Sequence, residues 1–366
     1  MKYTWSLLLF LPFTVQSQSM DRLTYQFDSL FRSCFNPAEP GGAVLLVKDE
    51  QVIFQKGIGI ADTKTRQPIT TRTLFNTGSI SKTFVAYGIL QLESENKLSL
   101  DDDLHKYFPD FNNKGIAQKV KLKHLLTHTS GLPDSRKVKE EHAFYLVAKD
   151  EENFAPLKQT AELEFEPGTN YKYSNPAFNG LALVIEKVSG KKWQDYIRET
   201  IIQPAGMKTS TITDGPHPET GVAHAYIKNK QDEFEELDYG EEPTFAAAGN
   251  GGVWSSVEEL WKYEQAIRKA VFLDANRIQR SRTVYPFPEW KGPVPSELGL
   301  SWFINRQPPG IAMIGHTGSQ GGFISDYCWL PEQKLFYVLL CNRPQPIKEI
   351  RGKLFSILEQ HRWLEQ

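Results

Sequence analysis

Apolar residues cluster in short strand-like runs near both ends of the chain and recur at helical spacing through its middle. In residues 21–36, Leu23, Phe27, Leu30 and Phe31 mark one face of an opening helix. Residues 41–47 and 51–55 read as two strands joined at Lys48-Asp49-Glu50 into a hairpin, with 57–61 extending the second. A polar loop, 62–68, leads through Leu74-Phe75 into Gly78-Ser79-Ile80-Ser81-Lys82-Thr83-Phe84-Val85-Ala86-Tyr87. There a serine-rich start runs into almost unbroken apolar sequence, the mark of a helix enclosed on all sides.

From there to about residue 240 the pattern is mostly helical. A short helix over 122–128 stops at Gly131 and Pro133, one over 178–188 ends at Gly190, and another covers 193–202. Residues 215–245 are polar and acidic, an excursion from the core. Ser256-Val257-Glu258-Glu259 has capping-box spacing and opens a helix to about 270. Strand patterns return at 298–305, 311–318, 322–330 and 334–341, the last two joined as a hairpin. The C-terminal stretch 347–364 repeats Ile347, Ile350, Leu354, Ile357 and His361 at helical spacing.

This order predicts an α/β (α+β) fold. One antiparallel sheet is built from both chain ends and flanked by the terminal helices, with a mostly helical domain inserted. The boundaries fall at 18–75 and 246–366 for the sheet domain and 76–245 for the helical one, and a site is expected at their junction. No repeat or low-complexity segment interrupts it.

The 366 residues carry a net charge of −2, so no basic surface calls for nucleic acid. Lys2, an apolar run over 5–15 and small or branched residues at Val15 and Ser17 read as a signal peptide, 1–17, cleaved after Ser17. An uncleaved anchor is the alternative; a lipoprotein would need cysteine at that point. No later stretch is long and apolar enough to cross a membrane. The expectation is export to the periplasm or the medium with no stable membrane anchor. Cys34, Cys328 and Cys341 are an odd set and form no disulfide framework, and the last two sit in apolar, core-like runs.

Ser79 and Lys82, three apart, share one helix face. A helix's first turn offers free N–H groups and the positive dipole end, and desolvation drives an amine towards neutrality. That is the environment of an activated serine nucleophile. The competing reading is a serine-rich cap with a surface lysine. Tyr173-Ser174-Asn175 follows the turn-rich Pro167-Gly168-Thr169; its plainer reading is an aromatic at a domain junction, with Asn175 holding the turn. His316-Thr317-Gly318-Ser319 lies in a glycine-rich strand that either admits a substrate backbone or is simply a bulged edge. His124 and His128 are spaced i, i+4, but Leu125 stands where a zincin has glutamate and no third ligand is evident. No metal or cofactor is therefore expected.

Together these motifs resemble the serine β-lactamase and penicillin-binding protein family, in particular class C β-lactamases and their esterase and peptidase relatives. The resemblance runs from about 41 to 342 and includes the hairpin before Leu74-Phe75, the segment 124–132, Pro167-Gly168 and Pro204-Ala205-Gly206-Met207. It implies that Ser79 is acylated and that Lys82 takes its proton. Tyr173 would shuttle protons to the leaving group, and Asn175 would bind the substrate amide or Lys82. The backbone N–H groups of Ser79 and Ser319 would hold the oxyanion. His316 stands where the family often has lysine, and an unperturbed histidine is only roughly a quarter protonated at pH 7. A weaker grip on substrate carboxylates follows, so the expected substrate is an ester, amide or peptide rather than a β-lactam turned over efficiently.

Four other readings compete: a true class C β-lactamase, a D,D-peptidase or D-aminopeptidase, a non-catalytic penicillin-binding protein, and an α/β-hydrolase. The last lacks its G-x-S-x-G elbow here. The loops 135–165 and 215–245 would shape substrate pockets, and no pattern sets an oligomeric state.

Overall fold

A computed structural model describes residues 13–136, 148–212, 221–236, 248–292, 297–307 and 310–364. Helix α1 (Phe13–Cys34) is followed by strands β1 (Gly42–Lys48) and β2 (Gln51–Ile58). Asp49 and Glu50 turn the hairpin with φ of 49° and 66°, the left-handed pair that matches strand twist. Helices α2 (Ser81–Ser94), α3 (Leu122–Leu126), α4 (Asp150–Lys158), α5 (Asn175–Ser189), α6 (Trp193–Ile197) and α7 (Val257–Arg268) fill the middle. Strands β3 (Phe303–Gln307), β4 (Ile311–Gln320), β5 (Phe323–Leu330) and β6 (Leu335–Cys341), then helix α8 (Ile347–Gln360), close the chain.

The main sheet is antiparallel in the order β3-β4-β5-β6-β1-β2, so the two chain ends meet where β1 pairs with β6. Alternate residues of that seam enter opposite layers. Val44, Leu46, Tyr337 and Leu339 pack with Leu23, Phe27 and Phe31 of α1 and Ile350, Leu354 and Leu358 of α8. Ala43, Leu45, Val338 and Leu340 face the other layer, which contains α2 and α7. Both faces are covered, which is why β1 and β6 are buried almost end to end. No described helix is long and apolar enough to cross a membrane.

Several local expectations shift. The strand expected over 298–305 begins at Phe303, because Ser301 has φ 69° and Gly299 N–H bonds back to Trp302 O at 2.8 Å. That bend aims Trp302 into a buried aromatic cluster with Tyr87 and Tyr327. The helix over 122–128 ends at Leu126 and His128 has φ 56°, so His124 and His128 do not share a helical face. At Ser256, Oγ accepts the Glu259 N–H. The Glu259 carboxylate turns away to the N–H groups of Thr209 and Ser210, which leaves half a capping box. On α8 the buried stripe is Ile350, Leu354 and Leu358 rather than Ile357 and His361. Within the expected excursion, residues 226–228 and 234–236 pair as a small hairpin, and 213–220 and 237–247 lie outside the described residues. So do 137–147 of the first loop and most of the expected signal peptide; α1 runs across its cleavage point after Ser17.

Candidate active site

Ser79 sits in a 3-10 turn, Gly78–Ile80, that leads directly into α2. Three side-chain bonds, beside the backbone bond from Thr77 N–H to Val253 O, pin this turn to the segment after Ala248. Asn76 Nδ2 donates to Gly251 O, Thr77 Oγ1 donates to Val253 O, and Ser81 Oγ accepts the Val253 N–H. Asn76 Oδ1 also accepts the Gly78 N–H at 2.8 Å. On the other side the turn abuts β4 through glycine. Gly78 has φ 54°, and a Cβ there would lie 2.7 Å from Ser319 N. A Cβ on Gly318 would lie 2.1 Å from Thr77 O and 3.1 Å from Ser79 N. Only a side-chain-free contact lets strand and turn come this close, and it sets the Ser79 and Ser319 amides side by side.

Lys82 is fully buried one turn further on. Its Nζ donates to Ser79 Oγ at 2.9 Å and to Asn250 O at 2.7 Å. The amine lies 5.2 Å from the centre of the Tyr173 ring and 5.8 Å from that of Phe178. Burial pushes it well below the usual lysine range, and the Arg136 guanidinium adds to that. No carboxylate among the described residues pairs with it. A neutral amine in hydrogen-bond contact with a serine hydroxyl is able to accept its proton.

Tyr173 enters from the loop before α5, its ring stacked 4.2 Å from that of His128. His128 Nδ1 accepts the Ser174 N–H at 3.0 Å, and His128 O accepts from Lys172 N. The left-handed turn after α3 thus clamps the tyrosine segment from outside. Burial, with Lys82 nearby, keeps His128 well below its ordinary pKa and so neutral. Ser174 caps α5 and Asn175 is the first residue of that helix.

His316 is buried, and burial followed by the proximity of Lys82 lowers its pKa to about 3. Its Nδ1 donates to Thr317 O at 2.6 Å, which leaves Nε2 as a lone-pair acceptor. The partial charge expected of an unperturbed histidine is therefore corrected: low-dielectric surroundings leave His316 uncharged throughout the physiological range.

Ser79, Tyr173, Asn175, His316, Thr317, Gly318 and Ser319 line one cleft of about 430 Å³, with Lys82 buried behind Ser79. All eight residues expected from the sequence are thus brought to one place. Phe303, Ile324, Gln345 and Ile347 also line the cleft, and sequence reasoning did not single them out. Nor did it find Asn250, whose backbone carbonyl holds Lys82; the run Gly249-Asn250-Gly251-Gly252 was its one signal, as a turn that exposes backbone. An adjoining cavity of about 260 Å³ shares Phe303, His316 and Thr317 and reaches Lys348 and Arg351.

A serine bonded to a buried amine, an aromatic ring beside that amine and two amide nitrogens brought close by strand and turn are features of a serine hydrolase. The chain matches the family model described as Beta-lactamase over residues 27–362 and belongs to that family, one of serine hydrolases of the β-lactamase fold. It is 26% identical over 334 residues to penicillin-binding protein 4* of Bacillus subtilis (strain 168), covering 87% of this chain and 71% of that one. It is 27% identical over 329 residues to the D-aminopeptidase of Brucella anthropi, covering 87% of this chain but 59% of that protein's length. Among solved structures, the octameric penicillin-binding protein homologue from Pyrococcus abyssi superposes with a TM-score of 0.76 at 26% identity, over 94% of this chain and 77% of that one. The D-amino acid amidase from Ochrobactrum anthropi SV3, complexed with L-phenylalanine amide, shares the fold at a TM-score of 0.75 and 20% identity, over 94% and 99% of the two chains.

Proposed function

We propose that the protein is an exported serine hydrolase that cleaves uncharged esters or amides through an acyl-enzyme on Ser79. The observation that carries this reading is Lys82, buried, its pKa pushed well below the usual lysine range by desolvation, and 2.9 Å from Ser79 Oγ. In the first step Ser79 Oγ bonds to the acyl carbon as Lys82 Nζ takes its proton. The oxyanion accepts the N–H groups of Ser79 and Ser319. The bond to the leaving group then breaks, and Tyr173 relays the proton to the departing oxygen or nitrogen. In the second step water adds to the acyl carbon, its proton returns through the same groups to Ser79 Oγ, and the carboxylic acid leaves.

The choice of an uncharged acyl group rests on the cleft wall. Phe303, Ile324 and Ile347 are apolar, His316 is neutral, and no charged side chain among the described residues lines that cleft. The D-aminopeptidase among its relatives makes amino-acid amides, whose α-ammonium group meets no charged side chain among the described residues of this wall, the amides to compare with neutral ones. Export is supported by Lys2 and the apolar run over 5–15. Removal of 1–17 would spare Leu23, Phe27, Leu30 and Phe31, which seat α1 on the sheet. A mature protein recovered from the periplasm or medium should begin after Ser17 by N-terminal sequencing.

The deciding experiment is mass spectrometry after a fluorophosphonate, paired with turnover of p-nitrophenyl esters, amino-acid amides and a chromogenic cephalosporin. The expected result is an adduct on Ser79, none in Ser79→Ala, and faster turnover of esters or amides. An adduct elsewhere would overturn the site. Cephalosporin turnover exceeding that of the esters by orders of magnitude would make the enzyme a β-lactamase instead.

A further inference from the structure

A buried carboxyl group that does not line the cleft is tied to the turn that holds Lys82. Asp150, at the start of α4, is buried and accepts three N–H bonds. Its Oδ1 takes Asn179 Nδ2 of α5 at 2.7 Å and the Gly249 backbone N–H at 2.8 Å. Its Oδ2 takes Trp193 Nε1 of α6 at 2.8 Å. One side chain therefore ties three helices to the turn after Ala248.

That turn has a single consequence for chemistry. Its next residue, Asn250, presents the carbonyl that holds Lys82 Nζ at 2.7 Å. The same Asn179 Nδ2 that reaches Asp150 also reaches Asn250 Oδ1 at 3.1 Å. Opposite, Asn76 Nδ2 pulls on Gly251 O from the nucleophile turn at 3.0 Å. Hydrogen bonds joined through the Gly249–Asn250 backbone thus link Asp150 to the amine, and the amine to Ser79.

We propose that Asp150 is a positioning residue for acylation: its carboxyl group fixes the Gly249–Asn250 turn and so holds the Lys82 amine against Ser79. This rests on Lys82 acting as the base for Ser79. Asp150 itself touches neither the nucleophile nor the cleft lining. Its influence is on the rate of proton removal, not on how well an acyl group binds.

The isostere gives the cleanest test. In Asp150→Asn, an amide oxygen facing Gly249 N–H and Asn179 leaves the amide NH₂ against the Trp193 N–H, donor against donor. Rotating the amide moves the conflict to the Gly249 turn instead. Trp193→Phe removes the opposing donor, so the double variant Asp150→Asn/Trp193→Phe can keep the oxygen on the turn. Fluorophosphonate inactivation of the full chain separates the saturating rate constant from the half-saturating concentration. Asp150→Asn is expected to lower the rate constant by roughly tenfold to a hundredfold, the scale on which small misplacement costs rate, with half-saturation unchanged. Trp193→Phe alone should stay near wild type, and the double variant should recover most of the loss. Asp150→Ala should be at least as slow as Asp150→Asn.

A role confined to stability would lower the melting temperature of Asp150→Asn and leave its rate constant at the wild-type value. That result, or no recovery in a double variant whose melting temperature is restored, overturns the proposal. Should Asp150→Ala fail to fold, the isosteric pair decides. Failure of the underlying reading looks different, since wild type would then label at a residue other than Ser79 or label equally well in Lys82→Ala.

Discussion

Lys82 Nζ donates to Ser79 Oγ at 2.9 Å, and no carboxylate among the described residues offsets a charge on the amine. Whether the contact serves proton transfer or only packing is decided by exchanging lysine for arginine. Arginine keeps a donor and a positive charge but does not deprotonate in a protein. Lys82→Arg and Lys82→Ala should therefore both lower ester turnover by about 10²–10⁴-fold, the usual worth of a general base. Turnover within tenfold of wild type in the arginine variant, measured with circular dichroism to confirm folding, would remove Lys82 from the proton path.

His316 provides a separate test of how charge is distributed in the cleft. With its pKa lowered to about 3 by burial and by Lys82, its ring should show no titration between pH 5 and 8. In a histidine-selective NMR spectrum, assigned by loss of the signal in His316→Asn, the Cε1–H shift should stay constant over that range. A midpoint near 6.5 would restore the partial charge that an isolated histidine carries.

His316→Lys installs a potential cation at the same place. A charge-assisted hydrogen bond is worth about 1.5–3 kcal/mol, so the variant should favour carboxylate-bearing substrates over neutral esters by roughly tenfold to a hundredfold relative to wild type. Competition assays on wild type and variant read this ratio. An unchanged ratio would mean that carboxylates are not held near His316.

How far the site was legible depended on which atoms carry it. Ser79 and Lys82 could be paired from sequence because helical geometry sets neighbours three apart on one face. Tyr173, Asn175 and His316–Ser319 are far from them in the chain; a turn-rich loop and a glycine-rich strand marked them locally, and only the family's motif order joined them to Ser79. Asn250 acts through a backbone carbonyl, which leaves no side-chain signature. Arg136 influences Lys82 from another segment through space, and no spacing rule foretells that. His128 was read with His124 as a helical pair, whereas its left-handed φ of 56° ends the helix and stacks the ring on Tyr173. The sheet was legible at both ends because alternation and hairpin turns are local. The start of β3 was not, because the burial of Trp302 in an aromatic cluster overrides the strand pattern before Phe303.

Asp326 makes the stability of the sheet depend on pH. It pairs in register with Thr317 and accepts Arg351 Nη1 at 2.6 Å, yet burial outweighs that partner and raises its pKa from 3.8 to about 6. The folded state then holds the proton more tightly than the unfolded chain. The contribution to stability is fully present below about pH 4 and is lost as pH rises through about 6. Asp326→Asn abolishes the titration. Wild-type unfolding free energy minus that of the variant should therefore be largest near pH 4 and level off above pH 6, measured by urea denaturation across the range. A difference that grows with pH would show that Arg351 wins and the carboxylate is favoured.

The contact between Gly318 and the Ser79 turn leads to a prediction on rate that is separable from binding. A methyl group at Gly318 would sit 2.1 Å from Thr77 O and 2.2 Å from Ser325 Oγ, itself bonded to Thr77 O at 2.8 Å. Both are parts of the packed seam, so β4 and the turn must separate. Separation moves the Ser319 amide away from the Ser79 amide while leaving Tyr173, Phe303 and Ile347 in place to bind the acyl group. Loss of one oxyanion donor costs about 10²–10³ in kcat. Gly318→Ala should therefore lower kcat by about that factor with KM changed far less, since the ground-state carbonyl depends on the second amide less than the oxyanion does. Gly78→Ala should behave similarly and also lose stability by about 1–2 kcal/mol, because alanine is disfavoured at positive φ. Steady-state kinetics on a p-nitrophenyl ester, with thermal melts of both variants, measure the two effects independently. A rise in KM at constant kcat in Gly318→Ala would mean that the seam shapes the binding wall and that the Ser319 amide is not an oxyanion donor.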